Sequence, residues 1–116
     1  MKILVVDDDL NIARLYKEEL EEEGYTVVMA ANGTEAMERF EQEKPDLVTL
    51  DIQLPDTDGI KLLRQMKEKR PRMPVIMSTA FDYRDDFSVW ASEAYIVKTS
   101  DLTELKATIR KLIGQE

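Results

Sequence analysis

The chain has neither cysteine nor histidine. Lack of cysteine excludes a disulfide framework, a thiol nucleophile, a Cys-ligated zinc and an iron–sulfur cluster. Lack of histidine excludes Ser-His and Cys-His catalysis, and with them any phosphohistidine formed on this chain. Positive charge is scarce as well. There are 16 Lys and Arg against 24 Asp and Glu, a net charge of −8, which argues against gripping nucleic acid through its phosphates. No apolar run approaches the ~18 residues of a membrane span. After Met1 and Lys2 the first run covers only Ile3 to Val6 before three aspartates, unlike a signal peptide. The expected location is cytoplasmic, with no membrane contact. No repeat, linker or low-complexity stretch breaks the chain. With 116 residues, 43% of them apolar, residues 1–116 are expected to form one domain with a sizeable core.

What is present is a rhythm. Short apolar runs recur at Ile3–Val6, Thr26–Met29, Leu47–Leu50, Val75–Met77 and Tyr95–Val97, as in strands covered on both faces. Amphipathic patterns separate them. Ala13, Tyr16 and Leu20 share a helical face, with Glu-rich 18–23 outward and Gly24 as a stop. Ala36, Met37 and Phe40 mark a second helix, and Ile60, Leu63 and Met66 a third that ends before Pro71. Leu102, Leu105, Ile109 and Leu112 mark the last, with Ser100 or Asp101 as N-cap. Between Phe81 and Ala94 the helix signal is poor, anchored by Phe87 and Trp90 as expected core residues. Five strands alternating with five helices predict a doubly wound α/β fold with a parallel sheet.

In such a sheet, ligands bind at the carboxyl ends of the strands. Asp7, Asp8 and Asp9 follow the first apolar run, Asp51 the third, Ser78 and Thr79 the fourth, and Lys98 the fifth. Crowded carboxylates raise one another's pKa unless a cation sits among them. They are also the hard oxygen ligands that Mg²⁺ takes, with coordination positions left for water and phosphate oxygens. An aspartate leaving a strand can attack phosphorus to give an aspartyl phosphate. A nearby lysine and hydroxyl would steady the phosphoryl oxygens. Asp9 reads equally as a helix cap, and Asp56 and Asp58 before Gly59 as loop and helix start.

Four motifs together carry a resemblance: Leu4-Val5-Val6-Asp7-Asp8, Asp51-Ile52-Gln53-Leu54-Pro55-Asp56-Thr57-Asp58-Gly59, Ser78-Thr79-Ala80 and Tyr95-Ile96-Val97-Lys98. In that order and at that spacing, over essentially the whole chain, the sequence resembles a response-regulator receiver domain of bacterial two-component signalling. The resemblance implies a flavodoxin-like fold with strand order 2-1-3-4-5. It makes Asp51 the phosphoacceptor and Mg²⁺ the cofactor. Asp8 would ligate the ion directly, Asp7 mostly through water, and Gln53 through its backbone carbonyl. Thr79 would be the switch hydroxyl, Lys98 its ion-pairing partner, and Tyr95 the aromatic that changes burial. The implied donor is a histidine kinase or phosphotransferase. The implied output is an altered 79–98 face that binds a downstream protein or acts on an output domain beyond Glu116, with homodimerisation open. Such a domain is a switch, and the only reactions it catalyses are its own phosphorylation and dephosphorylation.

Two departures stand out. Thr99 follows Lys98 where the family usually has a proline in a cis peptide, so the geometry of the Lys98–Thr99 bond is open. The Thr79–Lys98 segment is about three residues shorter than is usual, nearly one helical turn of ~3.6 residues. The shortening, with the poor helix propensity of the segment, predicts a short, irregular or mobile fourth helix. Two other readings compete. A small aspartate-nucleophile phosphatase of the haloacid-dehalogenase type would use the Asp-x-Asp spacing within residues 7–9, but would leave Asp51 without a role. A receiver-like module that binds without being phosphorylated is the other. Flavodoxin-like FMN binding is disfavoured, since no Gly- or Thr-rich phosphate loop follows the first strand.

Overall fold

A computed structural model of the protein describes residues 1–79, 94–97 and 102–114. In chain order the elements are β1 (Lys2–Val6), α1 (Leu10–Glu22), β2 (Thr26–Ala30), α2 (Gly33–Glu43), β3 (Leu47–Leu50), α3 (Gly59–Lys69), β4 (Val75–Thr79), β5 (Ala94–Val97) and α4 (Thr103–Leu112). The expected fourth helix, Phe87, Trp90, Lys98 and the Lys98–Thr99 bond all lie outside the described residues, so α4 is the helix expected as fifth. The strands form one parallel sheet in the order β2-β1-β3-β4-β5. That is the expected order, and all five strands lie within two residues of their apolar runs.

The alternation of side chains along the strands explains why these runs carry almost no polar residues. Leu4, Val6, Val48, Leu50, Val75 and Met77 face one side, where Ala36 and Phe40 of α2 and Leu62, Leu63 and Met66 of α3 cover them. Ile3, Val5, Leu47, Ile76 and Ile96 face the other, under Ala13, Tyr16 and Leu20 of α1 and Leu105 and Ile109 of α4. On that second side the Tyr16 hydroxyl and Ser78 Oγ, both buried, hydrogen-bond at 2.7 Å.

Helix ends follow local chemistry. Asp9 caps α1 by accepting from the amides of Asn11 at 3.0 Å and Ile12 at 3.3 Å, and Gly24, with φ +96°, stops it. Asp58 caps α3 by accepting from the Ile60 amide at 2.7 Å. The last helix departs from expectation. Its N-cap is Leu102, without a side-chain cap, in place of Ser100 or Asp101. A buried residue 5% exposed there trades the cap for packing. The acidic run of α1 also does more than face water: Glu19 pairs with Lys106 at 2.6 Å and Glu23 with Arg110 at 3.2 Å, joining α1 to α4.

The start of α2 is held from two sides. Asn32 accepts from the Glu35 amide at 2.8 Å within the helix. Asp56, 23 residues further along the chain, accepts from the Gly33 amide at 2.7 Å, the Thr34 amide at 3.0 Å and the Thr34 hydroxyl at 2.9 Å. The helix is therefore capped in trans by the loop after β3. The Gly33 amide, followed by those from Thr34, holds the Asp56 carboxyl below its ordinary value.

Two outcomes are expected. Leu63 is fully buried between α3 and the sheet, so Leu63→Ala should lower the unfolding free energy by about 3 kcal/mol, read as a fall in urea midpoint at constant slope. A change under about 1 kcal/mol would contradict this packing. The depressed folded pKa of Asp56 means its stabilisation is complete above the unfolded value near pH 4 and is lost as pH falls through the lower folded value. The stability gap between wild type and Asp56→Asn should thus stay constant from neutrality to about pH 4 and close below it. A gap unchanged at lower pH would show that the charge contributes nothing.

Candidate functional site

Three strand ends build the site. Asp7 and Asp8 leave β1, and Asp51 leaves β3, the neighbouring strand in the sheet. Their backbones are fixed by the sheet's own ladder, extended by one residue. The Asp7 amide donates to the Ala30 carbonyl of β2 at 3.0 Å, and the Asp51 amide donates to the Val6 carbonyl of β1 at 3.1 Å. One carboxylate oxygen from each of Asp7, Asp8 and Asp51 lies within 4.8 Å of the others. Asp8 is exposed, whereas Asp7 and Asp51 are only 4% and 6% exposed. The cluster is thus a shallow acidic recess with a solvent-facing side.

Each buried carboxylate is oriented by a nearby amide. Asp7 Oδ1 accepts from the Asp9 amide at 2.9 Å, and Asp51 Oδ1 from the Gln53 amide at 3.2 Å. The Gln53 bond turns the chain directly after Asp51. The turn continues as a bridge between Gln53 and Asp58 and a Gly59 amide bond to the Ile52 carbonyl at 2.7 Å. Gly59 must be glycine: a Cβ there would run into the Asp51 carbonyl oxygen and the Ile52 backbone. That close approach seats the start of α3 directly behind Asp51.

The donor set fits a hard divalent cation. All donors are carboxylate oxygens, with no sulfur or nitrogen in the group. Oxygens around a Mg²⁺ ion at 2.0–2.1 Å lie about 3–4 Å apart, which the 4.8 Å span of the group accommodates. Carboxylates this near one another repel, and a cation between them removes that penalty.

The sequence-derived residues divide into three groups. Asp7, Asp8 and Asp51 come together, with the Gln53 backbone at their side. Asp9 separates from them as the cap of α1. Thr79 ends β4, the strand beside β3, paired in register with Val97, and Tyr95 lies one strand further out, on β5, paired with Met77. The side-chain roles assigned to Thr79 and Tyr95, and Lys98 altogether, lie outside what is described. Asp56 was missed as part of the surroundings. Its position in an Asp-Thr-Asp-Gly loop signalled a turn, while its true partners, Gly33 and Thr34, are remote in sequence.

Comparison with known proteins agrees with this geometry. The family model described as response regulator receiver domain matches residues 3–110. The alkaline phosphatase synthesis transcriptional regulatory protein PhoP of Bacillus subtilis is 36% identical over 115 residues, covering 97% of this chain. The chain spans about half of PhoP, 48% of its length. It spans 93% of sporulation initiation phosphotransferase F from the same organism, with 35% identity over 115 residues and 97% of this chain covered. Among solved structures, the response regulator TrrA of Thermotoga maritima in complex with Mg²⁺-BeF superposes with a TM-score of 0.92 at 44% identity, covering 96% of this chain and 97% of that one. The complex of histidine kinase ThkA with TrrA gives 0.90 at 43% identity, with 97% of each chain covered. An acidic recess at the ends of β1 and β3, on a sheet of this order and in a chain matched along nearly its whole length, leads to one conclusion: the protein belongs to the response regulator receiver domain family.

Proposed function

We propose that the chain is a phosphorylation-operated signalling switch with Asp51 as its phosphoacceptor. The observation that carries this reading is the convergence of the Asp7, Asp8 and Asp51 carboxylates within 4.8 Å at the carboxyl edge of the sheet. Asp51 is the member whose backbone is clamped on both sides, by the Val6 carbonyl and by the seat of Gly59. A clamped carboxylate is suited to attack, because its position is set before the reaction begins. The phosphatase reading loses its support here. It left Asp51 idle, whereas the fold brings Asp51 into the same recess as Asp7 and Asp8.

Asp8 and Asp51 would hold Mg²⁺ directly, with the Gln53 carbonyl, and Asp7 would hold it through water. When bound, the ion would neutralise charge on the carboxylates and the incoming phosphoryl oxygens. An Asp51 oxygen attacks phosphorus while the bond from phosphorus to the donor imidazole nitrogen breaks. The imidazole leaves with the bonding pair and takes up a proton. Reversal uses water: its oxygen attacks phosphorus, the acyl-phosphate P–O bond breaks, and the carboxylate of Asp51 is restored. Lys98 would pair with the phosphoryl group and the Thr79 hydroxyl would hydrogen-bond to it. The aspartyl phosphate, with a charge of about −2 in place of the single charge on the carboxylate, would thereby bias the 79–98 face, with Tyr95, towards one of two arrangements.

The phosphoryl donor must be another molecule, since the chain has no histidine. The ThkA–TrrA complex supports a histidine kinase in that role. A downstream protein or an attached output domain would read the switched face, in keeping with the two kinds of relative, one twice this length and one nearly equal to it. A cytoplasmic location and association through the same face, including as a homodimer, belong to this reading. No described helix is long and apolar enough to cross a membrane.

Incubation with acetyl phosphate and Mg²⁺ should add one phosphoryl group to the intact mass of the wild type and none to Asp51→Asn. Chelation of the metal should suppress the gain. A wild type that gains nothing, from acetyl phosphate or from a cognate kinase, would contradict the proposal, as would an Asp51→Asn variant modified like the wild type.

A further inference from the structure

Around the acidic recess runs a closed chain of contacts in which one link is a side chain. The Asp51 amide bonds the Val6 carbonyl, and the next residue along, Asp7, bonds the Ala30 carbonyl through its own amide. Ala30 ends β2, and three residues later Gly33 opens α2. The amides of Gly33 and Thr34 bond Asp56, which sits in the loop that returns through Gln53 to Asp51. The other two hydrogen bonds are backbone to backbone and extend the sheet. The Asp56 carboxylate is what joins the loop carrying Gln53 to the β2–α2 junction carrying the partner of Asp7.

The fit at this link is close. A Cβ on Gly33 would collide with Thr57 Cγ2, nearer than real Cβ atoms approach, and would lie 3.1 Å from Asp56 Oδ1. Glycine at the start of α2 thus lets the 52–58 loop lie flat against the helix, where three hydrogen bonds from Gly33 and Thr34 reach a single carboxylate. Ile52 and Leu54 pack the base of the loop on the core and Gln53 bridges to Asp58, while Asp56 supplies the hydrogen bonds that fasten it to the start of α2. Ordering a loose backbone costs conformational entropy, and a ligand that must order its own site binds more weakly for it.

We infer that Asp56 is a positioning residue for the cation site: by fastening the 52–58 loop to the start of α2, it holds the Gln53 carbonyl beside Asp51 before a cation arrives. The inference rests on the reading of Asp7, Asp8, Asp51 and Gln53 as the Mg²⁺ site. Asp56 touches neither cation nor phosphoryl group. It acts through the loop, so its effect is on affinity for the ion.

The test is calorimetric titration of the whole chain with Mg²⁺, beside thermal unfolding of each variant. Asp56→Ala should weaken Mg²⁺ binding about tenfold, the lower end of what loss of an outer partner of a metal ligand costs. Asp56→Asn keeps one acceptor oxygen and should fall between. Asn32→Ala removes the internal cap of the same helix while leaving the loop untouched. It should therefore lower the melting temperature yet bind Mg²⁺ as the wild type does. Gly33→Ala should weaken binding by pushing Thr57 away, and Gly33→Ala with Thr57→Ser, which removes the colliding methyl, should restore it. The inference is overturned if Asp56→Ala retains wild-type affinity, or if Asn32→Ala loses as much affinity as Asp56→Ala. A wild type that does not bind Mg²⁺ at all would overturn the metal-site reading itself, and this inference with it.

Discussion

Mutual repulsion of three carboxylates is the constraint to which the rest of the structure answers. Asp7, Asp8 and Asp51 are placed where two of them are almost wholly removed from water, and the backbone holds them there regardless of their charge. A buried carboxylate is costly unless it is paired, hydrogen-bonded or metal-bound. The fold meets that cost in part with amide donors from Asp9 and Gln53. The crowding of three carboxylates makes the recess an attractor for a hard cation and, once a cation is present, for an anion. One crowded set of charges thus accounts for affinity for both Mg²⁺ and a phosphoryl group.

Holding such a set together requires a rigid frame. The frame is a parallel sheet with apolar layers on both faces, so that movement of a strand end would disturb packing on two sides. Glycines at positions 33 and 59 let helices and loops come close enough to brace the site from outside. At the 52–58 loop a side chain, Asp56, supplies the cross-link to α2. On the far side of the sheet, the Tyr16–Ser78 hydrogen bond ties α1, the helix following the acidic recess, to the strand that ends in Thr79.

Much of this was legible in the residues. Short, mostly apolar runs such as Leu47–Leu50, alternating with amphipathic helical patterns, are those expected of strands buried on both faces, and the polar residue that leaves each run therefore marks the rim of the sheet. Asp7, Asp8 and Asp51 were found that way, and Gly24 and Asp58 by ordinary cap chemistry. What stayed hidden was non-local. Asp56 looks like any turn aspartate, because its partners at 33 and 34 are brought near only by the fold. The acidic run in α1 looked solvated for the same reason: Glu19 and Glu23 meet Lys106 and Arg110 across 87 positions. At the start of α4, local propensity favoured Ser100 or Asp101 as cap, and burial of Leu102 overrode it.

The central claim is that carboxylates from two strands share one divalent cation. Anomalous diffraction from crystals soaked in Mn²⁺, a close stand-in for Mg²⁺ with a usable absorption edge, tests it most directly. The account predicts a single strong peak coordinated by carboxylate oxygens of Asp8 and Asp51 and by the Gln53 carbonyl, with Asp7 reaching the ion through water. A peak elsewhere on the molecule, or none between residues 8 and 51, would contradict it.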